Sequence, residues 1–164
     1  MNYRIREFKE SDTAPMLAVM NEIIDEGGSF PFTEPMTEEM FRGFIQMEGY
    51  AACLADENDL PVGMYMMGVN IPGRCSSIAN ATYLVKKELR GQHLGELLVR
   101  DSLEKAREKG FRLMQFNGVV DSNTGARKLY KRVGFIEAGI IPKGFQVKDG
   151  HYEDMHVMYY RLQD

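Results

Sequence analysis

The sequence predicts a mixed α/β fold, a central sheet with helices packed against it. Three observations carry that prediction. Short apolar runs of strand character alternate with longer segments of helical period. Two runs within 50–69 flank the turn Glu57-Asn58-Asp59 and read as a hairpin. Two strand-helix-strand crossings follow, which indicates parallel as well as antiparallel neighbours. A chain of 164 residues is expected to form a single domain, residues 1–164, with a substantial core.

The elements follow in order. Tyr3 to Phe8 alternates and reads as a first strand. Ser11-Asp12 is placed to cap a helix whose first turn tolerates Pro15. Met16, Leu17, Met20, Ile23 and Ile24 keep helical spacing, and Gly27-Gly28 ends the run. The stretch 29–36 holds two prolines and two phenylalanines. It reads equally as a pocket wall or as a hydrophobic clasp over the core. Thr37 caps a second helix, with Glu38 and Glu39 in its first turn and Phe41, Phe44 and Ile45 behind them. Tyr50 to Ala55 and Leu60 to Val69 are the hairpin strands, and Ile71-Pro72-Gly73-Arg74 turns into a strand from Ser76 to Val85. A helix covers Leu94 to Lys109 with Gly110 as its stop. Phe111 to Asn117 is a strand, and a helix runs from Asn123 to about Val133-Gly134. Phe135 to Ile141 and Tyr152 to Tyr160 are the last strands, joined through a turn at Lys148-Asp149-Gly150.

Composition narrows the function classes. Hydrophobic residues at 44% and charged residues at 27% are ordinary for a soluble globular protein. A net charge of −4 with scattered basic residues disfavours a nucleic-acid partner. Twelve methionines read as adaptable core filler or, at Met66, Met67 and Met114, as a pliable substrate wall. Cys53 and Cys75 lack metal-ligand spacing and read as free, buried thiols of a reducing compartment. No leader pattern and no membrane-length apolar run is seen, so a cytoplasmic protein without a membrane partner is expected. His151 and His156 read as surface or satisfied histidines, and no histidine-carboxylate cluster suggests a metal.

The most informative stretch is Asn80 to Gly95. A strand runs through a glycine-containing turn into a helix, leaving free backbone N–H groups at the positive end of the helix dipole. That arrangement suits a phosphate or pyrophosphate. The Gly-Lys-Ser/Thr of a Walker loop is absent. Arg90-Gly91-Gln92-His93-Leu94-Gly95 instead resembles the Arg/Gln-x-x-Gly-x-Gly/Ala signature of the GNAT N-acetyltransferase superfamily. His93 stands at that family's first glycine; it still offers its N–H, and a working cradle is expected with negative φ there. Asn123-x-x-Ala126-x-x-Leu129-Tyr130-x-x-x-Gly134-Phe135 is similar to the family's second half-site.

The resemblance implies a mostly antiparallel central sheet flanked by helices, the acyl-CoA N-acyltransferase fold. It implies acetyl-CoA as cofactor, held by Tyr83, Leu84, Val85, Gly91, Gln92, His93, Leu94, Gly95, Glu96 and Asn123, with no metal. It implies direct attack of an amine on the thioester, with Asn123 and Tyr130 as donors that stabilise the sulfur and Tyr130 as the proton source in the limit. A narrower resemblance, carried by Pro72-Gly73-Arg74-Cys75-Ser76, Asn80-Ala81, Phe116-Asn117 and Asn123, is to fungal N-acetyltransferases of proline analogues such as azetidine-2-carboxylate. It implies that Asn80 holds a substrate carboxylate and that the backbone at Asn117 and Gly118 completes the substrate site. Read without it, Asn80 is a strand asparagine that needs a partner, and a backbone clamp serves as well. The loop 30–37 is similar to that of amino-acid-type acetyltransferases acting on herbicide-like substrates.

These resemblances point to a small amine bearing a carboxylate. A protein or peptide amine is the alternative, and a non-catalytic acyl-CoA sensor a weaker one. An alkylamine with pKa near 10.4 costs roughly 4–5 kcal/mol to deprotonate at pH 7. No base stands out: Gly118 occupies the place five residues before Asn123, and Asp121 reads as a turn residue. A water held by backbone carbonyls and Asn117 is the expected acceptor. Many family members pair through their last strands, so a homodimer through the Tyr152–Tyr160 edge is expected.

Overall fold

A computed structural model describes residues 2–164. The strands are β1 (Arg4–Glu7), β2 (Tyr50–Ala55), β3 (Pro61–Val69), β4 (Ile78–Val85), β5 (Leu113–Val120), β6 (Ile136–Gln146) and β7 (Tyr152–Arg161). The helices are α1 (Thr13–Glu26), α2 (Glu38–Glu48), α3 (Leu94–Glu108) and α4 (Thr124–Val133). Among the described residues the strands form one sheet in the order β1-β2-β3-β4-β5-β7-β6. Every pairing is antiparallel except β4–β5. This is the mixed, mostly antiparallel sheet expected.

Side-chain alternation along the strands divides the core between the two faces. On one face Met16, Met20, Ile23 and Phe41 of α1 and α2 pack on Cys53, Met64, Met66 and Leu84. On the other, Leu98, Val99 and Leu103 of α3 pack on Leu54, Tyr65, Met67 and Met114. The methionines of β3 and β5 are therefore core filler. Met66, Met67 and Met114 are buried and line no substrate wall.

Local chemistry explains most element ends. Gly27 and Gly49 stop α1 and α2 at φ of 68° and 95°, where a side chain would be strained. The Thr37 hydroxyl accepts the Met40 N–H at the start of α2. Asp12 differs from expectation. Its side chain does not cap α1; it takes Arg6 at 2.7 and 2.9 Å and the Lys9 N–H at 2.8 Å. The Asp12 carboxylate is buried, and a buried carboxylate needs a charged partner, a demand that outweighs an end-cap. Cys53 is buried as expected, but Cys75 is exposed, in the turn before β4.

Two features of the sheet position the site. β4 and β5 pair only at Ile78–Leu113 and Ala79–Met114, then diverge. β5 is also irregular against β7 between Phe116 and Val119, leaving Asn117 and Gly118 outside the ladder. At the far edge, β7 is paired on both sides, by β5 and by β6. The free edge expected along 152–160 therefore belongs to β6, which ends the sheet.

Candidate active site

The divergence of β4 and β5 opens a cleft of about 1040 Å³. Its walls come from β4, the turn into α3, the 116–120 segment, α4 and the loop after α1.

The turn into α3 forms one end. Gly91 has φ of 81° and His93 has φ of 61°. The negative φ expected at His93 is thus overturned: the residue occupies the left-handed region that a glycine would fill without cost. Histidine is among the side chains that tolerate that region best. Among the described residues none of the N–H groups of residues 91–95 has a protein acceptor, whereas Arg90 donates to Lys87 and Glu96 to His93. Alternating left-handed residues turn successive N–H groups into one concavity, and the start of a 15-residue helix adds its dipole. Gly91, His93, Leu94 and Gly95 line the cleft; Gln92 does not. A diphosphate fits this nest. Glu96 does not join it. Its carboxylate is taken by Arg100 at 2.8 Å and Arg132 at 2.8 Å, which hold it below the usual carboxylate range and tie α3 to α4.

The β4 edge forms the long wall. Even-numbered residues bond to β3, as the Asn70 N–H to Ile78 carbonyl and Lys86 N–H to Val62 carbonyl contacts show. Alternation then turns the backbone of Ala81, Tyr83 and Val85 toward the gap where β5 has left. Tyr83 and Val85 line the cleft, but Leu84 faces β3 and buries its side chain in the α1/α2 core. An unpaired strand edge of this length suits an amide-bearing chain such as a pantetheine arm.

At the middle lie Asn123 and Tyr130. Asn123 precedes α4 and its side-chain oxygen accepts the Ala126 N–H at 3.4 Å, so it caps the helix and still presents its NH₂. Tyr130 stands among Phe116 (centroid 4.6 Å), Phe135 (5.5 Å) and Tyr83 (6.4 Å). Its hydroxyl has no partner among the described residues. Withdrawal from water pushes the Tyr130 hydroxyl well above its usual pKa, so it stays a neutral donor. Tyr83 is pushed up too, by burial and then by Tyr130, while its hydroxyl meets Ser102 Oγ at 2.7 Å.

The other end is built from distant segments. Asn80 lines it, and its side chain has no partner among the described residues. Asn117 and Gly118 line it from the β5 irregularity. The Asn117 amide pairs with Asn70 through reciprocal bonds of 3.0 and 2.7 Å, and its oxygen also accepts from Gln115 at 3.0 Å, which leaves one N–H of its NH₂ for a water or substrate. Phe30, Pro31 and Phe32 line the cleft, and Phe30 and Phe32 also pack on the α1/α2 core, so the loop serves as wall and clasp together. Phe44, Glu48, Phe145 and Met155 complete this end, and no local motif marks them as site residues. The turn between β6 and β7 reaches across to α1. Lys148 Nζ lies 3.1 Å from Asp25, and a Cβ added to Gly27 would meet Lys148 Cβ at 2.7 Å.

Asp121 and His156 sit outside the cleft. Buried His156 lies 2.5 Å from Glu137 and 2.7 Å from Asp121, a satisfied histidine that joins β7, β6 and the turn before α4. His151 is exposed between Asp149 and Glu153. Among the described residues no group of three or more metal-ligating side chains is found, and no helix is long and apolar enough to cross a membrane.

Comparison with known proteins matches this geometry. The profile of the Acetyltransferase (GNAT) family matches residues 17–135. The chain is 27% identical to N-acetyltransferase aca1 of Schizosaccharomyces pombe, over 94% of the chain and 82% of that protein. It is 33% identical to a candidate ribosomal-protein-alanine N-acetyltransferase of Bacillus subtilis, over 81% of the chain and 83% of that protein. Among solved structures, a GCN5-related N-acetyltransferase from Kribbella flavida superposes with a TM-score of 0.91 at 29% identity, covering 97% of each chain. The acetyltransferase yncA of Salmonella typhimurium, solved with acetyl-CoA, shares the fold at a TM-score of 0.90 and 20% identity, covering 100% of this chain and 96% of that one.

Proposed function

The chain belongs to the GNAT acetyltransferase family, and from that membership we propose that it acetylates the amine of a small carboxylate-bearing molecule, an amino acid or close analogue. Acetyl-CoA is the donor. When bound, it supplies the thioester carbonyl. In this reading the N–H groups of 91–95 hold its diphosphate and the Ala81–Val85 edge aligns its amide arm. Leu84 and Glu96 support these positions from behind. Asn123 NH₂ and the Tyr130 hydroxyl donate hydrogen bonds where negative charge develops on sulfur. A donor kept neutral in an apolar ring cluster suits that task better than an acid that must release its proton.

The acceptor class rests on one observation, the placing of Asn80 with Asn117, Gly118 and the aromatic loop along the same cleft. The β6–β7 turn meets the end of α1 at Gly27 and Asp25, next to Glu26 and Gly28 of the cleft wall. An unpartnered asparagine amide suits a carboxylate.

Thiol release from acetyl-CoA with a panel of free amino acids and matching peptides tests this. Turnover of free amino acids with none of peptides is expected. Turnover of peptides alone would overturn it, in line with the Bacillus subtilis relative. The reading also includes a homodimer through β6, whose outer edge is unpaired and whose Ile136, Ile140 and Ile141 are exposed. A monomeric mass in light scattering would remove that part.

A further inference from the structure

The acceptor amine is an ammonium ion at neutral pH, and no group at the cleft has yet been assigned to deprotonate it. The geometry points to Glu48 as the group that receives the acceptor's ammonium and takes its proton before acyl transfer. This rests on the acetyl-transfer reading above and, for where the ammonium sits, on its carboxylate-bearing acceptor.

Glu48 is the last residue of α2 and lines the acceptor end of the cleft with Asn80, Phe30 and Phe32. Its placement is built into the sheet. Gly68 of β3 is the ladder partner of Asn80. A Cβ on Gly68 would overlap the Glu48 carbonyl, so the missing side chain is what lets the end of α2 settle on the strand. Cross-strand partners present their side chains on one face. Gly68 and Asn80 therefore face α2 together, and Glu48 stands over the asparagine that the substrate's carboxylate would meet. An α-amino acid carries its ammonium one carbon from its carboxylate, so a carboxylate beside an amide is the matching pair.

The Glu48 carboxylate is half-buried and has no ion pair or hydrogen bond among the described residues. Charged residues that line the same cleft are already committed: Glu26 is bound to Arg90 at 2.8 Å and Arg132 to Glu96 at 2.8 Å. Desolvation raises the Glu48 pKa, with no opposing cation to lower it. The carboxylate also sits at the negative end of α2, an unfavourable place for a carboxylate that serves only stability. A cation arriving from solution would relieve both costs.

The protons balance. Glu48 takes one proton from R–NH₃⁺ and leaves a neutral amine. The nitrogen lone pair forms the C–N bond as the C–S bond breaks. The second nitrogen proton passes to the departing sulfur, giving the amide and the free thiol. Glu48 then returns its proton to water.

The test is Glu48→Gln in the full chain, assayed with whichever amine of the panel releases thiol fastest. At pH 7 kcat/KM should fall about a hundredfold or more. The deficit should shrink about tenfold per pH unit as solution supplies the neutral amine. Affinity for acetyl-CoA should not change. Because the folded state disfavours the ionised carboxylate, its cost is present above the raised pKa and disappears as pH falls through it. The glutamine variant should therefore melt no lower than the parent at pH 7. Glu48→Asp should retain part of the rate. A glutamine variant with parental turnover at pH 7, or with a deficit that ignores pH, would overturn the assignment. If only peptides are turned over, the acceptor class falls while Glu48 is judged by the same ratio. Thiol release with no amine would sink both.

Discussion

The two ends of the cleft are built by different means. The donor end is backbone: five consecutive N–H groups and one side of β4, all within 79–95. The acceptor end is side chain: Asn80, Phe30, Phe32, Glu48, Phe145 and Met155 arrive from five separate elements and loops. A backbone site tolerates side-chain change as long as φ and ψ are held. A side-chain site depends on how helices and turns settle on the sheet. The donor end should thus resist substitution, and the acceptor end should fail through packing.

The strongest way to break that contrast is Gly68→Ala. The added Cβ must push the end of α2 off β3, and overpacking of this kind costs about 3 kcal/mol. Chemical denaturation measures the loss, and acetyl-CoA affinity of the folded fraction should survive it. Tyr130→Phe comes next, at the junction of the two ends. It should lower kcat by about a hundredfold with little change in acetyl-CoA affinity. Unchanged turnover would remove Tyr130 from the reaction. His93→Gly should act in the opposite direction. It relieves a left-handed side chain at φ of 61°, so stability should rise by about 1 kcal/mol with cofactor binding retained. The smallest effect on stability is expected for Lys148→Ala, which removes an exposed ion pair worth less than about 1 kcal/mol. Its value is in specificity: loosening the turn from α1 should admit a dipeptide that the parent rejects, read as the ratio of the two rates.

The same contrast explains what could be read in advance. The 90–95 signature and the Asn123–Phe135 pattern were legible because each site residue is fixed by its own short segment. The αL conformation of His93 was hidden, since a histidine says nothing about the sign of φ. Leu84 and Glu96 fall inside the right segments but point away, one into the core and one to Arg100 and Arg132. Glu48 carried one weak signal, an acidic residue in the last turn of a helix. The free edge lies on β6 rather than on the expected β7 because pairing order is decided between strands, not along them.

By itself the sequence determined the element types, the mixed sheet and the glycine-containing turn into α3, because these follow from hydrophobic period, glycine placement and contiguous motifs. Only the tertiary structure decided that Glu48 lines the same cleft as Asn80, that the Asn117 amide pairs with Asn70, and that the β6–β7 turn meets α1. Those outcomes depend on contacts between residues up to 123 positions apart, whose geometry no local pattern encodes.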